Sequence, residues 1–303
     1  MTEIQKYLAE EVAEDLADGI ITRREAMRRL GLMGLSASAA AVLLATFSSA
    51  PAPAATRRRG RRDAETEWAA VATDAITFAG PRGVLMAAWA AAERPRGGVL
   101  VIHENRGLTD HIRGVAGRLA ASGYSALALD LLSEEGGTGA FPGEAEVAAA
   151  LAGIDPARFD ADMQAAVTEL AGRAPRKLAA IGFCFGGGMV WRLLAAGERR
   201  LAAAAPFYGP FPEGGDLDGS RAAVLGVYGG LDARVNASQP AAKAALEAAR
   251  LKHEMLTFTD ADHAFFNDTG ARFNPPAAAE AWRRTLDWFD ASDDHDKGRR
   301  RDR

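Results

Sequence analysis

Lys177-Leu178-Ala179-Ala180-Ile181-Gly182-Phe183-Cys184-Phe185-Gly186-Gly187-Gly188 is the stretch that decides the fold. Its first seven residues form a short apolar run of the kind that makes a buried strand. A helical pattern follows from about Cys184 to Ala196. Between the two, Gly182 and Gly186 flank Cys184 in the pattern G-x-nucleophile-x-G on a strand-to-helix turn. Such a turn leaves no space for a Cβ at either glycine, and it lifts the side chain between them above the sheet. A lone cysteine is most often a small buried hydrophobe. This one stands at a helix amino terminus, where the dipole and free N–H groups favour negative charge, and that setting points to a nucleophile.

Working outward, apolar runs alternate with helical patterns. Ala75–Phe78, Val84–Ala90, Val99–His103 and Ser125–Leu129 read as strands before the turn. Ala203–Phe207, Val224–Tyr228 and Met255–Phe258 read as strands after it. Helices are expected over Thr109–Ala121, Pro156–Gly172, Gln239–Arg250 and Ala277–Phe289. Steady alternation means an α/β fold with a mostly parallel central sheet and helices on both faces. In such sheets ligands sit beyond the carboxyl ends of the strands, which is where Cys184 falls.

A nucleophile on such a turn needs a base. His295 lies in a charged tail, His253 precedes a strand, His111 sits inside a helix pattern, and His103 ends a strand at the site edge. His263, in Asp260-Ala261-Asp262-His263-Ala264-Phe265, follows the last strand and precedes the last helix. The α/β-hydrolase order is nucleophile, acid, histidine, and His263 fits the third slot. Asp232, in Gly229-Gly230-Leu231-Asp232-Ala233-Arg234-Val235, ends the preceding strand and fits the second, where it would orient the imidazole. Asp260 and Asp262 are rival acids, better suited to shaping the turn. Oxyanion donors are expected from the backbone N–H of Phe185 and of Asn105, the latter after the strand Val99–His103. Glu104, at the same rim, is either a surface carboxylate or a group that reaches the thiol and keeps it protonated. Tyr208 and Phe265, with Phe207 and Phe266, line a pocket or belong to the core.

These residues resemble the dienelactone hydrolase family. Gly182-Phe183-Cys184-Phe185-Gly186-Gly187, Gly229-to-Val235 and Asp262-His263-Ala264-Phe265-Phe266 stand in the matching places, and the resemblance covers roughly residues 70 to 290. It implies an α/β-hydrolase fold and a carboxylic ester hydrolase of the carboxymethylenebutenolidase kind. The implied machinery is Cys184, Asp232 and His263, with Glu104 holding the resting cysteine. One departure concerns substrate. The resemblance implies arginines for a lactone carboxylate, one of them four residues beyond the histidine, where this chain has Asn267. No arginine lies between Phe141 and Asp155, and Arg272 and Arg158 are the candidates to substitute.

Composition narrows the rest. The net charge of -4 gives no basic surplus, so a nucleic-acid partner is not expected. One cysteine excludes an internal disulfide and a Cys-rich zinc site, and no His/Glu spacing suits a metal helix. No cofactor and no metal are expected. Gly136-Gly137-Thr138-Gly139 lacks the Lys-Ser/Thr of a phosphate cradle and reads as a loop. The expected partner is a small ester or lactone, and the expected state is a monomer. Competing readings are a thiol esterase of the same fold with an uncharged substrate, and a non-catalytic protein that keeps the scaffold. A redox thiol lacks a resolving cysteine.

The amino terminus is a different kind of sequence. Arg23-Arg24 and Arg28-Arg29 precede an uncharged stretch from Leu30 to Phe47, then small residues from Ser48 to Ala55. Positive, apolar, small is the order of an export signal, and the arginine pair resembles a twin-arginine signal, with Ala26 where a bulky residue is usual. The expected organisation is a signal region over 1–55, a basic linker over 56–68, the hydrolase domain over 69–291 and a charged tail over 292–303. Location outside the cytoplasm, periplasmic or extracellular, follows, with contact to a membrane only through an uncleaved signal. An uncleaved anchor and a plain helix are the alternatives for the same stretch.

Overall fold

Leu100, Val101 and Ile102 have no exposed surface, and neither do Ala180, Ile181 and Phe183 on the neighbouring strand. Uninterrupted apolar strands of this kind need cover on both faces, and the chain provides it. The computed structural model describes residues 1–48, 68–174 and 177–292. Strands β1 (Asp74–Ala79), β2 (Val84–Ala90), β3 (Gly97–Ile102) and β4 (Tyr124–Asp130) precede the turn, and β5 (Lys177–Phe183) leads into it. Strands β6 (Leu201–Phe207), β7 (Ala223–Gly229) and β8 (His253–Phe258) follow. They form one eight-stranded sheet in the order β1-β2-β4-β3-β5-β6-β7-β8. β1 and β2, and β2 and β4, pair antiparallel; every later pair is parallel.

Three helices come before the sheet: α1 (Glu3–Ala17), α2 (Arg23–Leu32) and α3 (Ala37–Ser48). Between and after the strands come α4 (Asp110–Ala121), α5 (Glu144–Gly153), α6 (Pro156–Arg173) and α7 (Phe185–Ala195). The last are α8 (Ala233–Asn236), α9 (Gln239–Ala248) and α10 (Pro275–Ala291). α4 packs on β2, β3 and β4, α6 and α7 pack on each other and on the central strands, and α10 packs on β6 and β7. The strands and helices expected from hydrophobic periodicity are all present, most within two residues of their expected ends. Proline at the first turn and an Asp or Asn cap start α6 and α10.

The amino-terminal region folds onto this sheet domain. Thr2 caps α1 by accepting from the Gln5 amide at 3.0 Å, and Thr22 does the same for α2 from Glu25 at 3.3 Å. The apolar stretch expected from Leu30 to Phe47 is broken at Gly34, whose φ of 85° ends α2, and resumes as α3. Among the described residues no helix is long and apolar enough to cross a membrane. Helix α1 contacts α2, α3 and α5. The basic linker, the small residues of the expected cleavage segment beyond Ser48 and the tail beyond Ser292 lie outside the described residues.

Arg158, one of the arginines considered for substrate, is corrected by its position. It is buried on α6, where it donates to both oxygens of Glu135 at 2.5 and 2.6 Å and to Asp162 at 3.4 Å. Glu134 lies 3.6 Å away. Its work is to neutralise carboxylates beneath the loop after β4. Replacing Arg158 with Leu should lower unfolding stability by about 3 kcal/mol, the low end for breaking a buried pair and leaving charge unpaired. The urea midpoint checks this, and turnover per folded molecule should not change.

Candidate active site

The turn after β5 is built by close approach. A Cβ on Gly182 would lie 2.1 Å from the Gly186 carbonyl oxygen, and one on Gly186 would lie 2.3 Å from that of Ile102. Cys184 itself takes φ 55° and ψ -120°, a conformation that costs of order 1–3 kcal/mol for a non-glycine residue. Its amide donates to Phe207 at 3.1 Å, and its carbonyl accepts from Gly188 at 3.2 Å. The side chain therefore projects beyond the carboxyl ends of the parallel strands. Phe185 follows as the first residue of α7, so its N–H has no carbonyl within the helix to bond.

Asp232 caps the short helix α8, accepting from Val235 N–H at 3.0 Å, which fixes one carboxylate oxygen. The other oxygen lies 2.6 Å from Nδ1 of His263, and neither residue has more than 1 % of its surface exposed. Asp262 bonds the His263 backbone N–H at 2.7 Å, and the Asp260 carbonyl accepts from Asn274 at 3.0 Å. Both rival acids thus shape the turn. Tyr208 lies edge-on to the His263 ring, centroids 5.3 Å apart, while Phe265 packs edge-on to Tyr208 and tilted against Phe258 in the core. A ring nitrogen of His263, Sγ of Cys184 and a carboxylate oxygen all lie within 4.8 Å of one another.

That carboxylate is Glu11, on α1. Its Oε2 is 3.6 Å from Sγ and its Oε1 is 3.1 Å from Nε2 of His263. Arg234, in α8, holds the same carboxylate and also reaches Glu14 at 2.9 Å. Tyr7, one turn earlier on α1, sets its hydroxyl 3.4 Å from Sγ. The guanidinium of Arg234 lies 4.7 Å from the Tyr7 ring centre. Cys184 is 3 % exposed, and what covers it is this helix.

Glu104 is turned away from the role considered for it. Its Oε2 accepts from Asn267 Nδ2 at 2.7 Å, and no hydrogen bond joins it to the thiol among the described residues. The carboxylate at the thiol is Glu11 instead. Asn267, where the resemblance implied an arginine, is the residue that orients Glu104. Arg272 donates to Asp15 at 3.1 Å and to Asp18 at 2.5 Å, again on α1. Arg272, Asn105, Cys184 and His263 line one cavity with Leu8 and Val12 of α1.

The charges follow from this packing. Burial alone would push the His263 imidazole down, but the Asp232 carboxylate and Cys184 outweigh it and carry it up to about 10. Burial raises Glu14 to about 7, against the attraction of His263 and with the repulsion of Asp232. Tyr7 is pushed well up by burial and by Cys184. The arrangement is an imidazole whose protonated form is favoured, held between two carboxylates beside a sulfur.

Tyr7, Glu11 and Arg234 were not found from the sequence. Ile4, Tyr7, Leu8, Glu11 and Val12 do follow helical spacing, but they precede an export-type segment, which is normally set apart from the fold. Arg234 sits in the Asp232 motif, and its value depends on α1 being there.

Comparison with known proteins gives the family and the fold. Residues 84–292 match the model of the dienelactone hydrolase family. An Escherichia coli O157:H7 protein, named a carboxymethylenebutenolidase by inference, is 34% identical over 208 residues, 63% of this chain and 75% of that protein. A dienelactone hydrolase-like promiscuous phosphotriesterase from metagenomic libraries superposes with a TM-score of 0.62 at 27% identity, covering 73% of this chain and 98% of that one. The dienelactone hydrolase of Anabaena variabilis shares the fold, with a TM-score of 0.57 at 21% identity over 72% of this chain and 96% of that one. The chain is a hydrolase of α/β-hydrolase fold, and it belongs to the dienelactone hydrolase family.

Proposed function

We propose that this protein cleaves a carboxylic ester or lactone through an acyl-enzyme on Cys184, with His263 as proton carrier and Asp232 as its orienting acid. The observation that carries this is the backbone at Cys184. A strained φ of 55° at a turn of closely packed glycines, with a buried Asp232–His263 pair within reach, has no use in packing. Strain of this kind persists where the surroundings enforce it, and it gathers at reacting centres.

The steps follow from the groups present. The Cys184 thiolate attacks the carbonyl carbon, and the carbonyl electrons move to oxygen, where the Phe185 and Asn105 amides receive them. One such donor is typically worth about 3–4 kcal/mol of barrier. Imidazolium at His263 gives its proton to the leaving alkoxide as the C–O bond breaks, which leaves a thioester. The neutral imidazole then takes a proton from water, hydroxide attacks the thioester, and the acid departs with Cys184 regenerated as thiolate beside imidazolium. Asp232 keeps Nδ1 occupied, so Nε2 is the nitrogen that faces the reaction.

Substrate charge is read from the rim. With Asn267 bound to Glu104 and Arg158 elsewhere, the arginines that line the cavity are Arg29, Arg106 and Arg272. Lactones bearing a carboxylate and short uncharged esters are the two classes to compare. We also propose that the amino-terminal region serves as an export signal of twin-arginine type; its arginine pair, Arg23 and Arg24, stands exposed at the start of α2.

Three measurements test these readings. Cys184→Ala should bring turnover of a short activated ester to the uncatalysed rate; turnover equal to the parent would remove the mechanism. His263 should make stability depend on pH. Its value is raised from 6.5 to about 10, so its contribution is complete below about 6.5 and is lost as pH rises toward 10. Melting temperature should therefore fall between pH 7 and 10 in the parent and fall less in His263→Gln. For export, the mass of secreted protein should be that of a chain cut beyond Phe47, and an intact amino terminus on secreted protein would refute cleavage.

A further inference from the structure

The face that α1 presents to the site is acidic and apolar together. Glu11, Glu14, Asp15 and Asp18 fall at helical spacing on one side, and they meet Arg234, Arg272 and His263. Ile4, Tyr7, Leu8 and Val12 are buried alongside them. The contacts are specific. One carboxylate, Glu11, touches the nucleophile, the base and a guanidinium at once.

Helix α1 itself lies outside the family's common part. The family model begins at residue 84, well after α3 ends. Two contacts hold the segment in register from outside the site: Arg28 pairs with Glu146 at 2.5 Å, and Glu3 accepts from the Glu213 amide at 2.9 Å. With Tyr7 and Glu11 in place, the space beside Sγ that an acyl group needs is filled, and Nε2 of His263 is already opposite a carboxylate. A protonated imidazole so placed has no leaving group to serve.

We infer that residues 3–17 are an intramolecular inhibitor: α1 docks in the substrate's place, with the Glu11 carboxylate standing where the acyl group meets Cys184 and His263, and the enzyme is latent until α1 is released. This rests on the reading of Cys184 as the nucleophile. The inhibitor is tethered, so its docking is intramolecular and does not depend on protein concentration. A substrate binds only the released fraction, so a docking constant of about 100 would raise its apparent dissociation constant about 100-fold.

The test uses the full chain with Glu14→Lys, Asp15→Lys and Asp18→Lys together, which turns attraction to Arg234 and Arg272 into repulsion and leaves Cys184, His263 and Asp232 untouched. Alkylation of Cys184 by iodoacetamide should run at least about tenfold faster than in the parent, as should turnover of a short activated ester. Faster alkylation without ester turnover would keep the inhibitor and remove the ester-cleaving reading, so the two fail separately. Alkylation no faster than the parent, in a chain with native circular dichroism, would overturn the inference. If the triple variant does not fold, a specific protease site placed between residues 49 and 67 of the parent gives the second measurement. Cutting and diluting should release activity and thiol reactivity, and a peptide of residues 1–20 should suppress both again. No change on cutting and dilution would equally overturn it.

Discussion

The rest of the molecule depends on how closely the turn after β5 approaches the end of β3. Gly186 sits where a Cβ would collide with the carbonyl oxygens of Ile102 and His103, so α7 starts against the strand end instead of one side chain away from it. That contact draws the first turn of α7 over the carboxyl edge of the sheet. Cys184, at the crest, is forced to φ 55°, and its amide and carbonyl are both satisfied by backbone partners. The cost is local and the sheet carries it, because β3 and β5 are paired along their whole lengths. Asp232 and His263 reach the same edge from the ends of β7 and β8, so three parallel strands place three groups with no loop long enough to wander.

Electrostatics at this edge is a contest between burial and pairing. Burial is the largest influence on His263 and works against its charge, yet Asp232 at 2.6 Å and Cys184 outweigh it and raise the imidazole to about 10. An imidazole of this kind is a proton donor first. Under the proposed mechanism that suits the breakdown of a tetrahedral adduct, where the leaving oxygen needs a proton. It does not suit deprotonation of a serine.

The sheet domain was legible in the sequence because its signals are local. Val99–Ile102 and Lys177–Phe183 are apolar runs of strand length, Gly123 stops a helix, and the glycines around Cys184 mark a turn that only one geometry explains. The order Cys184, Asp232, His263 needed nothing but strand ends. What could not be read was which carboxylate meets the thiol. Glu104 is the candidate the sequence offers, Glu11 lies in a segment read as an export signal, and the outcome is set by Asn267, which ties Glu104 back, and by the docking of α1. Helix α5 escaped for a related reason: its alanine-rich face has little periodicity, and packing against α1 and α2 is what stabilises it.

The docking of α1 also has to be weighed as energetics. A carboxylate as buried as Glu11 is costly unless it is paired and hydrogen-bonded. Here the cost is offset by Arg234 and His263, but both cations had partners or water beforehand, so the ion pairs set the register of the helix more than its affinity. Affinity comes from the apolar side, where Ile4, Tyr7, Leu8 and Val12 leave water, each fully buried side chain of that class contributing roughly 1.5–3 kcal/mol. The division of labour makes the contact specific. Apolar burial holds any amphipathic helix in the groove, and only the spacing of Glu11 from Glu14, Asp15 and Asp18 places a carboxylate on the sulfur.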